Sequence, residues 1–192
     1  MPVDTRTSLI ESAEHLIRAR GYSAFSYADL EKRIGIRKAS IHYHFPTKED
    51  LGVSVVETYI AELAAQLEAI EADWPGALAR LAAFAEMFKE SRSAETLPLC
   101  GALAAEMTIL PDSMQALTTK YFETHLQWIE KTIAGGVANG EIPATRDARQ
   151  KAFEILSLLE GASLVSWGLM RQADIEPGVI GLILGKNQQS AE

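Results

Sequence analysis

The stretch that most constrains this chain is residues 34–51, which joins a glycine turn, a short polar segment and a proline. Gly35 stands where a short helix must end, because glycine adopts the left-handed C-terminal conformation without a Cβ penalty. A second helix of about two turns is predicted over residues 38–45. It stops before Pro46, which has no N–H to donate to a continuing helix. So short a helix, made mostly of polar and aromatic residues, indicates contact with another molecule.

The side chains of this second helix suit the chemistry of DNA. They comprise two fixed charges and four hydrogen-bonding groups, from Arg37, Lys38, Ser40, His42, Tyr43 and His44. These residue types donate hydrogen bonds to phosphate oxygens, and arginine and lysine also read guanine edges. Before the glycine turn, Ser26 and Asp29 are spaced as a capping box that opens a preceding short helix. The sequence therefore predicts a helix-turn-helix over residues 26–45, with its second helix in the major groove.

The run from Tyr43 to Leu51, Tyr-His-Phe-Pro-Thr-Lys-Glu-Asp-Leu, resembles the recognition helix and following helix start of TetR-family transcriptional regulators. The resemblance covers roughly residues 1–60 and continues beyond them only in architecture. It implies a DNA-binding N-terminal domain and a helical C-terminal domain that pairs with a second copy and binds an effector. Family members usually carry serine where Arg37 stands and tyrosine where His42 stands. These two departures bear on the operator sequence and not on the fold.

The motif and the resemblance together give a set of expected DNA contacts, which is Tyr27, Arg37, Lys38, Ala39, Ser40, His42, Tyr43, His44, Thr47 and Lys48. The net charge of −8 is unevenly distributed, since residues 1–64 carry 8 basic and 9 acidic side chains. Residues 32–48 contain five basic side chains and no acidic one. A local basic face on an acidic protein is typical of docking through one surface. The alternative is that the two histidines pack within a small helical domain.

Helical periodicity along the rest of the chain predicts an all-α fold of about nine helices. Residues 1–46 are expected to form the DNA-binding domain, and residues 47–192 an effector-binding and dimerisation domain. A helix over residues 47–71, capped by Thr47, connects the two. The later helices are predicted at 75–90, 97–110, 113–137 (closed by the turn-rich Gly135-Gly136 and Asn139-Gly140), 145–171 (capped by Thr145) and 177–184 (opened by Pro177).

The segment 152–170 carries the prediction of a homodimer. Its apolar residues spread around nearly the whole helix, and such a helix must be buried on all sides. In a domain this small, a second copy of the chain is expected to cover one side. The alternative is a central core helix in a monomer. The interface residues expected are Leu156, Leu159, Leu164, Trp167, Ile180 and Leu184.

No pattern in the sequence indicates catalysis. The four histidines lack metal-ligand spacing, and no phosphate-binding loop or nucleophile motif occurs, so we expect neither an enzyme nor a cofactor or metal. Aromatic and methionine side chains are instead typical of an apolar effector pocket, with packing in the core as the alternative. The candidate lining is Phe84, Met87, Phe88, Cys100, Leu103, Met107, Phe122, Trp128, Phe153 and Trp167.

The single cysteine, Cys100, permits two interpretations. It is either a small buried hydrophobe or, near a helix start that lowers thiol pKa values, a sensor of oxidants or electrophiles. The cysteine count, the lack of a leader and the short apolar stretches predict a cytoplasmic protein without a membrane partner. The function expected is a repressor that binds operator DNA as a dimer and is released by a small apolar effector. A redox-sensing repressor is the alternative, and a helical interaction module or an enzyme ranks lower.

Overall fold

A computed structural model describes residues 4–91, 96–144, 147–171, 175 and 178–185, without the side chains of residues 90 and 91. Over these residues the fold is all-α, with no strand, which confirms the predicted class. No helix within them is long and apolar enough to cross a membrane. The nine α-helices are α1 (Thr5–Arg20), α2 (Tyr27–Ile34), α3 (Lys38–His44), α4 (Lys48–Asp73), α5 (Ala77–Ser91), α6 (Leu99–Ala104), α7 (Asp112–Ala138), α8 (Ala148–Gly168) and α9 (Val179–Ile183).

The helices form two compact units. Unit 1 contains α1 to α3, α4 up to Glu62, α6 and α7 up to Tyr121. Unit 2 contains the remainders of α4 and α7 together with α5, α8 and α9. The functional boundary expected after residue 46 divides the chain differently, because α6 packs against α1 and so belongs to the same compact unit.

Helix α1 is amphipathic. Its apolar residues at three- and four-residue spacing form the buried face, namely Leu9, Ile10, Ala13, Leu16 and Ile17. The helix ends at Gly21, which has φ +90° and donates its N–H to the carbonyl of Ile17 at 2.8 Å. The backbone of this glycine turn leads directly into α2.

The segment expected as one helix over residues 97–110 is shorter and broken. Helix α6 ends at Ala104, and a 3₁₀ turn occupies Met107–Ile109. Between them Glu106 has φ −110° and ψ 13°, and its carboxylate accepts a hydrogen bond from the N–H of Ser23. Helix α8 begins at Ala148, where Asp147 accepts the N–H of Gln150 at 2.8 Å. The expected helix-opening positions Thr145 and Pro177 lie outside the described residues.

The seventh helix, predicted over residues 113–137, spans Asp112–Ala138, and the turn at Asn139-Gly140 follows it, with Gly140 at φ +75°. The glycine pair 135–136 lies inside the helix and does not itself close it. Gly136 lies within the helix for a packing reason. A Cβ at this position would be 2.6 Å from the Cβ of Ala77 and 2.7 Å from Cδ1 of Ile142. The absent side chain therefore lets α7 approach the start of α5 closely.

This packing predicts opposite effects for two neighbouring substitutions in α7. Gly136→Ala should lower the free energy of unfolding by about 1–3 kcal/mol, since Ala77 and Ile142 must shift to admit the methyl group. Gly135→Ala, whose Cβ would meet no described atom within 4 Å, should stabilise the helix by up to about 1 kcal/mol. Urea unfolding followed by circular dichroism measures both. Equal effects of the two substitutions would contradict the close approach.

Candidate DNA-binding surface

Helices α2 and α3 are joined as the predicted helix-turn-helix. The N–H of Ser26 donates to Oδ2 of Asp29 at 2.8 Å, which confirms the capping box at the start of α2. At its end Gly35 adopts the left-handed conformation, with φ +77° and ψ 23°. The carboxylate of Glu31 then accepts the N–H of Lys38 at 3.3 Å, so that α2 caps the first residue of α3. The geometry of this turn therefore depends on residues close together in the sequence, Ser26 and Asp29 at the start of α2 and Gly35 at its end.

Helix α3 presents nearly all of its side chains to solvent. Ile41 is its one buried residue, at 0% exposure. Tyr43 is 84% exposed, and its ring packs edge-on against His44 with centroids 5.3 Å apart. Ser40 and His44 are half-buried. The exposed members of the expected DNA-contact set are Arg37, Lys38, Ala39, His42, Tyr43 and Thr47.

The junction between α3 and α4 is held by two side chains of the helix-turn-helix. The hydroxyl of Tyr27 is shared between the carbonyl of Phe45, at 2.9 Å, and that of Thr47, at 2.5 Å. The intervening carbonyl of Pro46 lies 3.1 Å from Nδ1 of His42. A carbonyl can only accept, so this bond requires the proton on Nδ1 and leaves Nε2 as the acceptor of the neutral ring.

Tyr27 and Thr47 thus have structural partners already. Tyr27 is 7% exposed, and its ring lies 4.9 Å from that of His42. Burial, with a smaller contribution from the Asp50 carboxylate, raises the pKa of Tyr27 to about 12. Thr47 forms the predicted cap of α4, because its Oγ1 accepts the N–H of Asp50 at 3.0 Å and its own N–H donates to Asp50 at 2.9 Å.

Lys48, the first residue of α4, is also engaged within unit 1. Its Nζ lies 4.5 Å from the ring centroids of both Tyr22 and Phe25. It also donates to the carbonyl of Ser23 at 3.5 Å. Partial burial lowers the pKa of Lys48, while the carboxylate of Glu106 acts in the opposite direction. The ammonium group therefore sits at the edge of the protein surface, between two aromatic faces.

Two further residues that position this surface were missed by the sequence reasoning. The guanidinium of Arg6 lies 5.1 Å above the ring of Phe45 and donates to Oγ of Ser54 at 3.2 Å, linking α1 to both ends of the junction. Glu106 contacts Ser23, which is 83 residues away in sequence. No local pattern marks contacts between residues so far apart.

In unit 2, three residues of the expected effector pocket form an aromatic cluster. The ring centroid of Phe84 lies 5.2 Å from that of Phe88 and 5.3 Å from that of Trp128. His125, which was not in the expected set, lies 5.5 Å from Phe84 and is fully buried. The buried Nε1–H of Trp128 has no hydrogen-bond partner within the described part of the chain. An indole donor without a partner is costly to bury, by about 1–3 kcal/mol.

The other expected pocket residues are divided between the two units. Cys100 and Leu103 are fully buried in unit 1, where Met107 is half-buried. Met87 and Phe122 of unit 2 are half-buried, whereas Phe153 is 56% exposed and Trp167 is 38% exposed. No group of three or more His, Cys, Asp or Glu side chains suited to a metal ion occurs among the residues that the structure describes.

Helix α8 buries one face and exposes another apolar face. Four residues of the expected dimer interface are buried within unit 2, namely Leu156, Leu159, Ile180 and Leu184. The other two, Leu164 and Trp167, are 55% and 38% exposed. Phe153, Leu164 and Trp167 share a helix face with Glu160, because they lie seven before, four after and seven after it. We call these three apolar residues the outer stripe of α8. Burial raises the pKa of Glu160 to about 7.

Comparison with known families identifies the chain. The family model described as "Bacterial regulatory proteins, tetR family" matches residues 9–55. A second model, "Tetracyclin repressor-like, C-terminal domain", matches residues 77–174, which is more than half of the chain. The chain belongs to the TetR family of transcriptional regulators. This confirms the resemblance drawn from residues 43–51.

Known TetR-family proteins match this regulator along nearly its whole length. A crystal structure of a TetR transcriptional regulator from Legionella pneumophila is 32% identical, covers 95% of this chain and 97% of its own, and superposes with a TM-score of 0.83. The transcriptional repressor NemR of Escherichia coli is 24% identical over 167 residues, covering 84% of this chain and 83% of NemR. The crystal structure of the reduced form of E. coli NemR has 22% identity and a TM-score of 0.79, covering 95% of this chain and 94% of that one.

The hydrogen bonds of Tyr27 predict a pH-dependent contribution to stability. Tyr27→Phe should lower the free energy of unfolding by about 1–2 kcal/mol, because the carbonyl of Phe45 loses its donor. The folded protein favours the neutral phenol, so this contribution is complete below pH 10 and is lost as the pH rises toward 12. Urea unfolding of both proteins across this range measures the difference. Tyr43→Phe, which removes a hydroxyl from a residue that is 84% exposed, is the control. If Tyr27→Phe changes the free energy of unfolding as little as this control does, the Tyr27 hydroxyl does not stabilise the fold.

Proposed function

We propose that this TetR-family regulator is a homodimeric repressor that binds operator DNA through α3 and is released by a small apolar effector. The observation that carries the proposal is the composition of α3, whose polar and aromatic side chains are exposed around one buried residue, Ile41. Residues 1–46 form the DNA-binding domain, with Thr47 and Lys48 at the start of α4 as further contacts, and residues 47–192 hold the effector and the second copy. Helices α4 and α7, which contribute to both compact units, supply the covalent route between these functions.

The DNA contacts proposed for α3 are of two kinds. Arg37 and Lys38 at its start neutralise phosphates or read guanine edges, and Tyr43 and His44 at its end donate to the backbone or to bases. His42 has its Nδ1 committed to the carbonyl of Pro46, so Nε2 is the atom offered to DNA. In the neutral ring Nε2 accepts, which suits the exocyclic amines of adenine and cytosine.

The dimer is proposed to form through the outer stripe of α8. Its three residues, Phe153, Leu164 and Trp167, are each more than a third exposed in the single chain, as is Leu182 of α9. Leu156 and Leu159 are covered by their own unit and have little surface left for a partner. Two copies related by a twofold axis would hold their recognition helices about 34–36 Å apart, one turn of DNA.

The effector is proposed to bind at the aromatic cluster of unit 2. Phe84 and Trp128 provide stacked ring faces, and the Trp128 indole N–H offers a buried donor. These features favour an apolar or aromatic compound that carries a hydrogen-bond acceptor, such as a carbonyl group. Release requires that the effector bind the non-DNA conformation more tightly, since only differential affinity shifts such an equilibrium.

A second candidate is an oxidant- or electrophile-sensing repressor that acts through Cys100. Supporting it, the matched E. coli structure is described as the reduced form of NemR, and Cys100 lies at the second position of α6. Against it, Cys100 is 0% exposed, and a buried thiol reacts slowly. We favour the small-molecule effector for this reason.

Selection of duplexes from a random-sequence library with purified protein tests the proposed function directly. On the selected duplex, Lys38→Ala should weaken binding and flatten the dependence of log K on log salt by about one unit. Lys131→Ala is the matched control, because this α7 lysine is 75% exposed but lies in unit 2. A protein that selects no duplex at low salt, or equal slopes for the two variants, would contradict DNA binding by α3.

If the outer stripe forms the dimer interface, a charge placed on it should separate the subunits. Leu164→Glu places a carboxylate at a 55% exposed apolar position that a partner would bury, so the variant should be monomeric at micromolar concentration. Light scattering measures the mass of both proteins. Gln127→Glu, at an exposed position of α7, should leave the wild-type mass unchanged. A monomeric wild type would remove the dimer from the proposal.

The two candidate signals predict different behaviour of Cys100→Ser. If the thiol is a core residue, its reaction with a thiol reagent is slow, and the substitution costs on the order of 1 kcal/mol of stability. Release of the selected duplex by a panel of apolar carbonyl compounds should then be unchanged. Gel-shift titration of wild type and variant measures release by the panel and by an oxidant. Loss of oxidant-driven release in the variant alone would favour the sensor.

A further inference from the structure

The segment from Leu97 to Glu106 is attached at one end to α1 and at the other to the loop that precedes the helix-turn-helix. At the first end, Nε of Arg18 donates to the carbonyl of Leu97 at 2.8 Å, and the N–H of Leu97 donates back to the carbonyl of Arg18 at 3.2 Å. At the other end, Oε2 of Glu106 accepts from the N–H of Ser23 at 2.9 Å and from its hydroxyl at 3.2 Å. These contacts lie within unit 1 and fix the end of α1 and the loop that precedes α2.

The carboxylate of Glu106 is seated against a glycine. Gly21 has φ +90°, and a Cβ built on it would come within 2.3 Å of Oε1 of Glu106. Any other residue at this position would displace the carboxylate as well as strain the backbone. The loop from Gly21 to Phe25 therefore has room for the carboxylate of Glu106 because residue 21 lacks a side chain.

Ser23 lies between Glu106 and Lys48 and forms hydrogen bonds with both. Its N–H donates to Glu106, while its carbonyl accepts from Nζ of Lys48 at 3.5 Å. The same ammonium group is packed over the rings of Tyr22 and Phe25, both at 4.5 Å. The loop thus holds a lysine on one side and a carboxylate on the other, and the two charges attract each other.

We propose that Glu106 is a positioning residue for operator binding, which restrains Lys48 in the Tyr22–Phe25 cage and so limits its contact with a DNA phosphate. This inference rests on the proposed function, since Lys48 at the start of α4 is one of the expected phosphate contacts. A DNA phosphate and Glu106 are both anions that attract the ammonium group of Lys48, the carboxylate acting across Ser23, so the attraction of one opposes that of the other. A displacement of the 97–106 segment changes operator affinity through this competition without altering α3.

The substitution Glu106→Gln isolates the charge. A glutamine carbonyl still accepts both hydrogen bonds from Ser23, so the loop keeps its anchor while the attraction to Lys48 is removed. Binding to the duplex selected by the wild-type protein should tighten about three- to tenfold, a coupling typical of residues in one network. The dependence of log K on log salt should steepen, since Lys48 releases an additional counterion.

Two comparisons separate this effect from a simple loss of negative charge. In a Lys48→Ala background, Glu106→Gln should have little effect on affinity, since its target is absent. Glu49→Gln removes a charge beside Lys48, but this carboxylate accepts its hydrogen bond from Ser113, at 2.6 Å, and not from Ser23. Its effect should be small and the same with or without Lys48. An equal gain from Glu106→Gln in both backgrounds would overturn the proposal.

A measurement without DNA tests the same link independently. Acetylation of Lys48 in the intact protein, followed by mass spectrometry, should be faster in Glu106→Gln than in the wild type, with Lys131 as the internal reference. Unchanged acetylation, or weaker operator binding by the variant, would mean that Glu106 only supports the fold and would refute the restraint. A wild-type protein that selects no duplex removes the proposed function, while acetylation still decides whether Glu106 holds Lys48.

Discussion

The hydroxyl of Tyr27 is the interaction on which the junction between α3 and α4 depends. Pro46 has no N–H and cannot continue α3, and around it side chains donate to three successive backbone carbonyls. Tyr27 serves Phe45 and Thr47, and His42 serves Pro46 itself. Helix α3 buries a single side chain and cannot be oriented by its own packing. A buried phenol from α2 therefore fixes the direction in which α3 leaves the protein surface.

The same junction receives contacts from distant parts of the chain. Arg6 reaches it from α1 and covers the ring of Phe45, while Glu106 reaches the adjoining loop from beyond α6. These contacts explain why α6 belongs to the same compact unit as the helix-turn-helix. The hydrogen bonds from Ser23 to Glu106 also link the end of the α6 segment to the α1–α2 loop, so a shift of one would move the other. The support of the proposed DNA-binding surface thus comes partly from residues beyond position 46, which were expected to belong to the effector-binding domain.

The fold could be predicted wherever its determinants are local. The buried face of α1 and the caps formed by Ser26 and Thr47 all involve residues within four positions of one another, so spacing alone identifies them. The position of Gly136 inside α7 could not be predicted in this way. Glycine often ends a helix, but Gly136 lies within α7, where its missing side chain leaves room for Ala77 of α5. A sequence pattern shows that a glycine is present and does not show what approaches it.

The same distinction applies to the sites. Spacing and residue type identified α3 as the candidate DNA-contact helix, and its exposure in the structure fits that role. They could not distinguish side chains that are free to contact DNA from side chains that stabilise the fold. Tyr27 looks like a DNA contact in sequence and is occupied by backbone carbonyls. In α8, apolar residues occur around the whole helix, so periodicity cannot tell its inner face from its outer one. Only the packing of α8 within unit 2 shows that Leu159 faces inward and that Leu164 is left exposed. Glu160 lies beside that exposed stripe, and further burial by a partner would disfavour its charged form. A partner that covered this stripe would therefore have to leave the carboxyl protonated or supply it with a hydrogen-bond donor.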